Sequence, residues 1–540
     1  MGSSMGLTRR RFLERAAPLG VLAFLPACPE VAADEQEGGT GADADPFLHG
    51  LASGDPLQTA VILWTRVTVP PSAGAAAADV SVEWRVALDP QMSEIVADGE
   101  AVTSEAVDYT VKVDVTGLRA GTTYYYAFSA LGFRSRVART RTLAAGVVDR
   151  ARIAVMCCAN YPAGYFNAYA LVAARADLDL VLHLGDYLYE YGNGSFGDGS
   201  AQGRLPSPDR EALTLGEYRQ RHAQYKRDVD LQEAHRQHPF IAIWDDHEVA
   251  NNAYRDGAAN HQPDSEGDWA TRKAAAMQAY YEWMPIRAPF PGQTERVYRA
   301  FSYGDLFDLV LLDTRYERDP KINGSCDPVG LNDATRSLLG PEQEEWLLTA
   351  LQRSRSRGAR WRLLGQQVMF GQLSDVAQGC VAQPDQWDGY PFSRRRVLEA
   401  LSGGVDNVVI LTGDAHSSWA FDISEDPFDA ELYTPDTGAG SLAVEFVAPG
   451  VTSPGPGGVA QELLDTHPHL RFVELERRGY VVLDLTPERA QAEWYFVATV
   501  DERRPGEELG GVCWTAHGDN HLSAGVEPSL ERENPPALAP

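Results

Sequence analysis

The chain has 540 residues, of which 44% are hydrophobic and 23% charged. This is ordinary globular composition at a length too great for one core, so two or more domains are expected. The net charge of −29 argues against a nucleic-acid partner, because DNA and RNA binding relies on Lys and Arg neutralising phosphates.

Residues 1–28 read as a targeting signal. Thr8-Arg9-Arg10-Arg11-Phe12-Leu13 carries paired arginines, and a short apolar run comes after them from Ala16 to Ala27. The run is shorter than the roughly 20 apolar residues that a spanning helix needs. Paired arginines before such a run are read by the bacterial twin-arginine export machinery. Export across the inner membrane is therefore expected, to the periplasm, the cell surface or the medium. Leu25-Pro26-Ala27-Cys28 resembles a lipoprotein cleavage box. It permits two readings, a membrane tether through lipidated Cys28 or an ordinary cleaved signal with an incidental cysteine. Residues 29–45 are rich in Ala, Gly, Asp and Glu and read as a flexible linker.

Residues 46–145 read as an all-β module. Val61 to Val67, Val80 to Val86 and Thr122 to Phe128 are β-rich runs separated by turn residues. Their spacing predicts a small immunoglobulin- or fibronectin-like sandwich, with Leu118 to Tyr124 as the turn into a late strand. No catalytic cluster falls in this segment.

From about residue 150 the pattern becomes apolar strands alternating with amphipathic helices, the mark of an α/β domain. Strands are predicted from Ile153, at Leu178 to Leu184, Phe240 to Trp244, Leu309 to Leu312, Trp361 to Leu364 and Val408 to Leu411. Helices are predicted at Tyr165 to Ala176, Glu217 to Arg236, Trp269 to Trp283 and Pro341 to Ser354. Further strands include Gly479 to Leu485 and Ala492 to Val497, and residues 501–540 read as a C-terminal extension to a 150–500 domain. The loop from Tyr191 to Pro208 reads either as a wall of a site or as an idle insertion. An exported chain permits disulfides, and Cys326 and Cys380, each in a turn-rich loop, form the candidate pair.

The segments just beyond the strands are chemically richer than the strands themselves. The first strand runs into Cys157-Cys158-Ala159-Asn160-Tyr161, the second into Gly185-Asp186-Tyr187-Leu188-Tyr189-Glu190, and the third into Asp245-Asp246-His247-Glu248. Leu311-Leu312 runs into Asp313-Thr314-Arg315, and Leu411-Thr412 into Gly413-Asp414-Ala415-His416. Sites in open α/β sheets form at the carboxyl ends of strands. An isolated strand-end Asp is usually a cap or turn former. Five such ends together, two with Gly before the Asp, read as one site. Of the adjacent Cys157 and Cys158, at most one can face it.

Strand-Gly-Asp, Asp-His-Glu and Gly-Asp-x-His resemble the dispersed motifs of calcineurin-like metallophosphoesterases. Cys-x-x-Tyr, His-Leu-Gly-Asp-Tyr-Leu-Tyr-Glu, Trp-Asp-Asp-His-Glu-Val and Thr-Gly-Asp-Ala-His-Ser-Ser are similar to the forms of the alkaline phosphatase D family, from about residue 46 to 500. The resemblance implies a four-layer core, two β-sheets flanked by helices, that holds iron(III) and calcium. It implies that Asp186 bridges the metals, that Cys158, Tyr189 and His416 complete the iron set, and that Asp246 and Asp414 hold calcium. Thiolate and phenolate donors suit a trivalent iron, whereas calcium prefers oxygen. Asn252 is either a further oxygen ligand, touching substrate, or a turn former. Cys157 and Ala159 depart from the family's usual residues without removing a ligand.

The implied chemistry is hydrolysis of phosphate mono- or diesters, phospholipids included, by in-line attack of a metal-bound hydroxide. His247 would protonate or orient the leaving group. Arg315 would grip the non-bridging oxygens through its planar fork, with a surface ion pair as its other reading. Two rival classes are a surface lipoprotein that binds phosphate compounds without turnover and adhesion through the sandwich. The intact Asp186, Asp246, His247 and His416 set weighs against the first.

Overall fold

A computed structural model describes residues 45–70, 79–288, 296–374 and 379–540. The expected signal, Cys28 and all but the last residue of the 29–45 linker lie outside the described residues.

Alternation along short apolar strands builds the α/β half. A seven-stranded sheet runs in the order Arg299–Tyr303, Phe307–Leu311, Trp361–Gln366, Val408–Thr412, Ala443–Val447, Ser418–Ile423 and Leu470–Glu474. Its central strands are parallel, with Leu309 opposite Leu363 and Leu363 opposite Val409. Successive side chains on a strand point to opposite faces. Leu309, Leu311, Leu363, Val409, Leu411, Val444 and Phe446 accordingly pack into one core. Val310, Leu364, Val408 and Ile410 pack on the other face with Leu347 and Leu351 of the helix Gly340–Ser356 and Val397 and Leu401 of the helix Pro391–Ser402.

The first core is shared with a ten-stranded sheet. Its order is Ser523–Gly525, Glu507–Ala516, Arg489–Val497, Gly479–Leu485, Ala151–Met156, Leu180–His183, Pro239–Ala242, Leu51–Gly54, Ala60–Arg66 and Thr110–Thr116. Helices Asn167–Ala174, Leu215–Lys226, Val229–Gln237 and Trp269–Trp283 contribute Tyr169, Val172, Tyr218, Leu231, Ala234 and Met277 to the same packing. Two sheets packed between helices form the expected four-layer core.

The helix expected over Glu217 to Arg236 is two helices. Asp228 interrupts it, because its carboxylate accepts from the backbone N–H groups of Asp230 and Leu231 and so caps the second helix. Thr214 and Glu217 form a reciprocal capping box on the first.

The N-terminal sandwich is joined to the α/β half more closely than a tethered module would be. One of its sheets holds Ile95–Thr103, Val80–Ala87, Thr123–Ala130, Phe133–Arg134 and Ala138–Arg141. The facing strands, Leu51–Gly54, Ala60–Arg66 and Thr110–Thr116, continue the ten-stranded sheet through a parallel pairing of Ser53 with Pro239 and Gly54 with Phe240. Val61, Leu63, Val111 and Val115 meet Val82, Val86, Tyr126 and Phe128 between the sheets. At the turn into Thr123–Ala130, the Tyr124 hydroxyl accepts from the Arg119 N–H at 2.8 Å, the arrangement of a tyrosine corner.

Residues 501–540 are likewise integrated. They supply two strands of the ten-stranded sheet, and the last residues return to the sandwich. There the Tyr125 hydroxyl donates to the Ala537 carbonyl at 2.6 Å, and Ala539 packs against Met92, Tyr125 and Ala127.

Candidate metal centre

The carboxyl ends of Ala151–Met156, Leu180–His183 and Pro239–Ala242 in one sheet, and of Phe307–Leu311 and Val408–Thr412 in the other, converge on one buried cluster. Donor atoms of Cys158, Asp186 and His416 lie within 4.8 Å of one another. Two further groups at that spacing are Asp186, Asp246 and His247, and Asp245, Asp246 and Asp414. Asp186 belongs to the first two and Asp246 to the last two, so the three groups are continuous.

The backbone at these positions is unusual. Cys158, Asp186, Asn252, Asp414 and His416 all have φ between 53° and 59°. Asn, Asp and His tolerate this left-handed region better than other side chains, but Cys does not, and strain of this kind clusters at functional sites. Gly185 makes room for the turn: a Cβ there would lie 2.4 Å from the Asp245 Cβ.

Tyr189 completes the first group. Its hydroxyl donates to Asp186 Oδ2 at 2.8 Å, lies 3.0 Å from His416 Nε2 and accepts from Ser453 Oγ at 2.7 Å. Cys157 points elsewhere, its thiol toward the Pro449 carbonyl at 3.5 Å. Cys158 is the cysteine that joins the cluster.

Buried carboxylates hold the cluster from behind. Glu248 accepts from the backbone N–H groups of Asp186 at 3.1 Å, Tyr187 at 2.6 Å and Asp245 at 2.8 Å, tying two strand-end loops together. Glu190 binds His247 Nδ1 at 2.7 Å and accepts from the Asn251 backbone N–H at 2.8 Å. Burial alone would lower the His247 pKa, but Glu190, Asp186 and Asp246 together hold it well above the usual histidine range.

The sequence allowed Arg315 either a grip on substrate or an ion pair, and the structure seats it among carboxylates. Arg315 is completely buried, with Nε on Asp245, Nη1 on Asp385 at 2.6 Å and Nη2 on Asp414 at 2.5 Å. A guanidinium committed to three carboxylates without solvent exposure neutralises them and presents no open face to a phosphate. Asn252 sits at the rim. Its backbone N–H donates to Asp246 Oδ2 at 2.5 Å, and its amide, oriented by its neighbours, donates to Asp385 at 3.2 Å.

The Tyr191 to Pro208 loop walls the site. Phe196 stacks on His247, with ring centroids 6.3 Å apart, and on His416 at 5.7 Å. Asn160 fixes it by donating to the Phe196 carbonyl at 2.8 Å. The expected disulfide is present between Cys326 and Cys380. Asp245, Ser453, Glu190, Glu248 and Phe196 were not singled out as site residues from the sequence. The first, third and fourth stood inside quoted motifs, whereas Ser453 and Phe196 carry no local signature.

The donor set fits cations. Asp245 Oδ2 and Asp246 Oδ1 are buried without a hydrogen-bond partner, a costly state for carboxylate oxygens unless an ion engages them. Burial, opposed by Arg315, pushes the Asp246 carboxyl up to about 6. The neighbouring Asp186 and Asp414 charges add to that push, which is the signature of like charges crowded without enough countercharge. A thiol, a phenol, an imidazole and carboxylates are together a metal-binding repertoire.

Comparison with known proteins agrees with this geometry. The model of the PhoD-like phosphatase family matches residues 153–494, and that of its N-terminal domain matches residues 32–144. Alkaline phosphatase D of Bacillus subtilis (strain 168) is 36% identical over 520 residues, covering 93% of this chain and 86% of that protein. A solved structure of PhoD superposes with a TM-score of 0.81 at 35% identity, covering 91% of this chain and 94% of that one. The purple acid phosphatase PPD1 from yellow lupin (Lupinus luteus) seeds shares the fold, with a TM-score of 0.54 at 13% identity over 86% of this chain and 73% of its own. The chain belongs to the PhoD-like phosphatase family.

Proposed function

We propose that this protein hydrolyses phosphate mono- or diesters at a dinuclear centre, acting as an alkaline phosphatase or phosphodiesterase. The observation that carries the reading is the chain of three donor groups sharing Asp186 and Asp246 at the strand ends. In this reading Cys158, Asp186, Tyr189 and His416 would hold iron(III), and Asp186, Asp246 and Asp414 would hold calcium. Asp245 is a further oxygen donor within reach of the second set. Two cations bound there would neutralise phosphoryl oxygens and lower the pKa of a bound water toward neutrality.

The protein's own groups do the rest. Glu190 engages His247 Nδ1, which leaves Nε2 to carry the proton that a departing alkoxide oxygen needs. Ser453 orients the Tyr189 hydroxyl and Glu248 the Asp186 loop, so that the donors are held before substrate arrives. Phe196 covers both imidazoles and restricts water at the site.

Export is inferred from the paired arginines at Arg9 to Arg11 and the short apolar run after them, with Cys28 available for a lipid tether. Among the described residues, no helix is long and apolar enough to cross a membrane. The test of function is hydrolysis of 4-nitrophenyl phosphate and bis(4-nitrophenyl) phosphate by the purified protein. Activity should be lost on chelation and in Asp186→Asn. Turnover untouched by both would overturn the reading.

A further inference from the structure

We propose that Lys321 is the residue that binds the non-bridging oxygens of the phosphate group, a role that rests on the phosphoesterase reading. With Arg315 sealed behind the carboxylates, a further cation would serve a phosphate, and Lys321 stands beside Asn252. With the Asn252 amide turned so that its oxygen faces the ammonium, Lys321 Nζ donates to it at 3.2 Å. The Asn252 backbone N–H is in turn bound to Asp246, a proposed ligand. One residue therefore separates Lys321 from the candidate centre. The side chain is half-buried and its charge acts on the nearby Asp385 carboxylate; an ammonium has three donors, so one amide contact leaves N–H groups for an anion.

The segment that carries Lys321 is fixed on both sides. Before it, the Pro320 carbonyl accepts from Arg336 at 2.9 Å. After it, Ile322 is buried in a small cluster with Leu331 and Val381. The Cys326–Cys380 disulfide and a Val381 N–H to Ser325 carbonyl bond of 2.7 Å close the base of that cluster. Asp385, four residues beyond Val381, binds Arg315 and Arg318 and accepts from Asn252. The stapled segment thus delivers a cation to the rim and anchors itself to the carboxylate layer through Asp385. Placing the lysine in advance lowers the ordering cost of holding a phosphate.

A monoester dianion presents more charge to this ammonium than a diester monoanion does. Lys321→Gln should raise KM for 4-nitrophenyl phosphate about tenfold, the value of one charge-assisted hydrogen bond. KM for the bis-ester should rise by roughly threefold or less. Metal content should be unchanged, and Lys321→Arg should retain most of the affinity. Calorimetric titration of the metal-loaded protein with inorganic phosphate reads the same contact without turnover and should show about tenfold weaker binding in Lys321→Gln. Phosphate affinity and monoester KM within about twofold of wild type would overturn the assignment. A wild-type protein that binds phosphate through Lys321 yet hydrolyses no ester would sink the phosphoesterase reading and leave the assignment standing.

Discussion

Acidification should unfold this protein through a layer of neutral histidines beneath the candidate centre. His222 is buried with neither ring nitrogen hydrogen-bonded, stacked on Trp283 at 6.3 Å and on Tyr187 at 6.5 Å. His235 Nε2 meets the Tyr187 hydroxyl at 2.8 Å and Lys226 Nζ at 3.0 Å. His183 Nε2 meets the Tyr169 hydroxyl at 2.8 Å, and His49 packs edge-on to Trp283. Burial lowers His49, His183 and His222 to about 3, helped at His49 by Arg66 and Arg227 and at all three by Lys226, and His235 lies well below its usual range. Between about pH 3 and 6.5 the unfolded chain binds protons at these rings and the folded chain does not, so their stabilisation is complete above 6.5 and is lost as pH falls. Each ring then costs about 1.4 kcal/mol at pH 5.5, and four cost roughly 5 to 6 kcal/mol, comparable with the whole stability of a domain. Urea unfolding followed by tryptophan fluorescence at several pH values between 7.5 and 5 measures the slope. His222→Phe, which keeps the stacking, should flatten it by about 1.4 kcal/mol per pH unit at its acid end. A variant with the wild-type slope would refute the reasoning.

Two other expectations concern the centre. Tyr189→Phe removes the hydroxyl that joins Asp186, Ser453 and His416. It should abolish any phenolate-to-metal absorption band and lower bound iron measured by emission spectroscopy, and it should cost the metal-free protein about 1 to 3 kcal/mol in thermal or urea unfolding through the stranded Ser453 hydroxyl. Arg315→Met strips the cation from a buried carboxylate group and should destabilise the fold by about 3 to 5 kcal/mol, measured by the same unfolding. An Arg315 that gripped substrate would instead raise KM and leave stability almost unchanged.

How much of this was legible in the sequence differs by the range of the signal. The ligand candidates were legible because each sits directly after an apolar run, and because Gly185 and Gly413 announce sharp turns before Asp186 and Asp414. The strict period of two also left room for only one of Cys157 and Cys158 at the site. The surroundings of Arg315 were not legible because a strand-end position reveals where a side chain begins but not what awaits it. Asp245, Asp385 and Asp414 arrive from three other segments. Ser453 and Phe196 were hidden for the same reason, since a loop serine or phenylalanine acquires meaning only from a neighbour hundreds or tens of residues away. The sandwich was visible in its β-rich runs. Its continuity with the catalytic sheet rests on one short parallel pairing, Ser53 to Pro239 and Gly54 to Phe240, which no local pattern encodes.

The charge distribution explains why an acidic chain can form such a site at all. Asp186, Asp245, Asp246, Asp385 and Asp414 crowd into a buried space, and like charges in that setting repel unless they are matched. On one side the match is permanent: Arg315 spans Asp245, Asp385 and Asp414, and Arg318 holds Asp385 at 2.8 Å. On the other side Asp245 Oδ2 and Asp246 Oδ1 are left without partners, and Cys158, Asp186, Asp414 and His416 keep a left-handed backbone. Structural economy alone would have supplied hydrogen bonds and relaxed those turns. Their persistence side by side points to a countercharge that the fold leaves to its ligands. A net charge of −29 then matters little to binding, because the field at the site is set by the few buried groups within ångströms of it and not by the distant, screened surface.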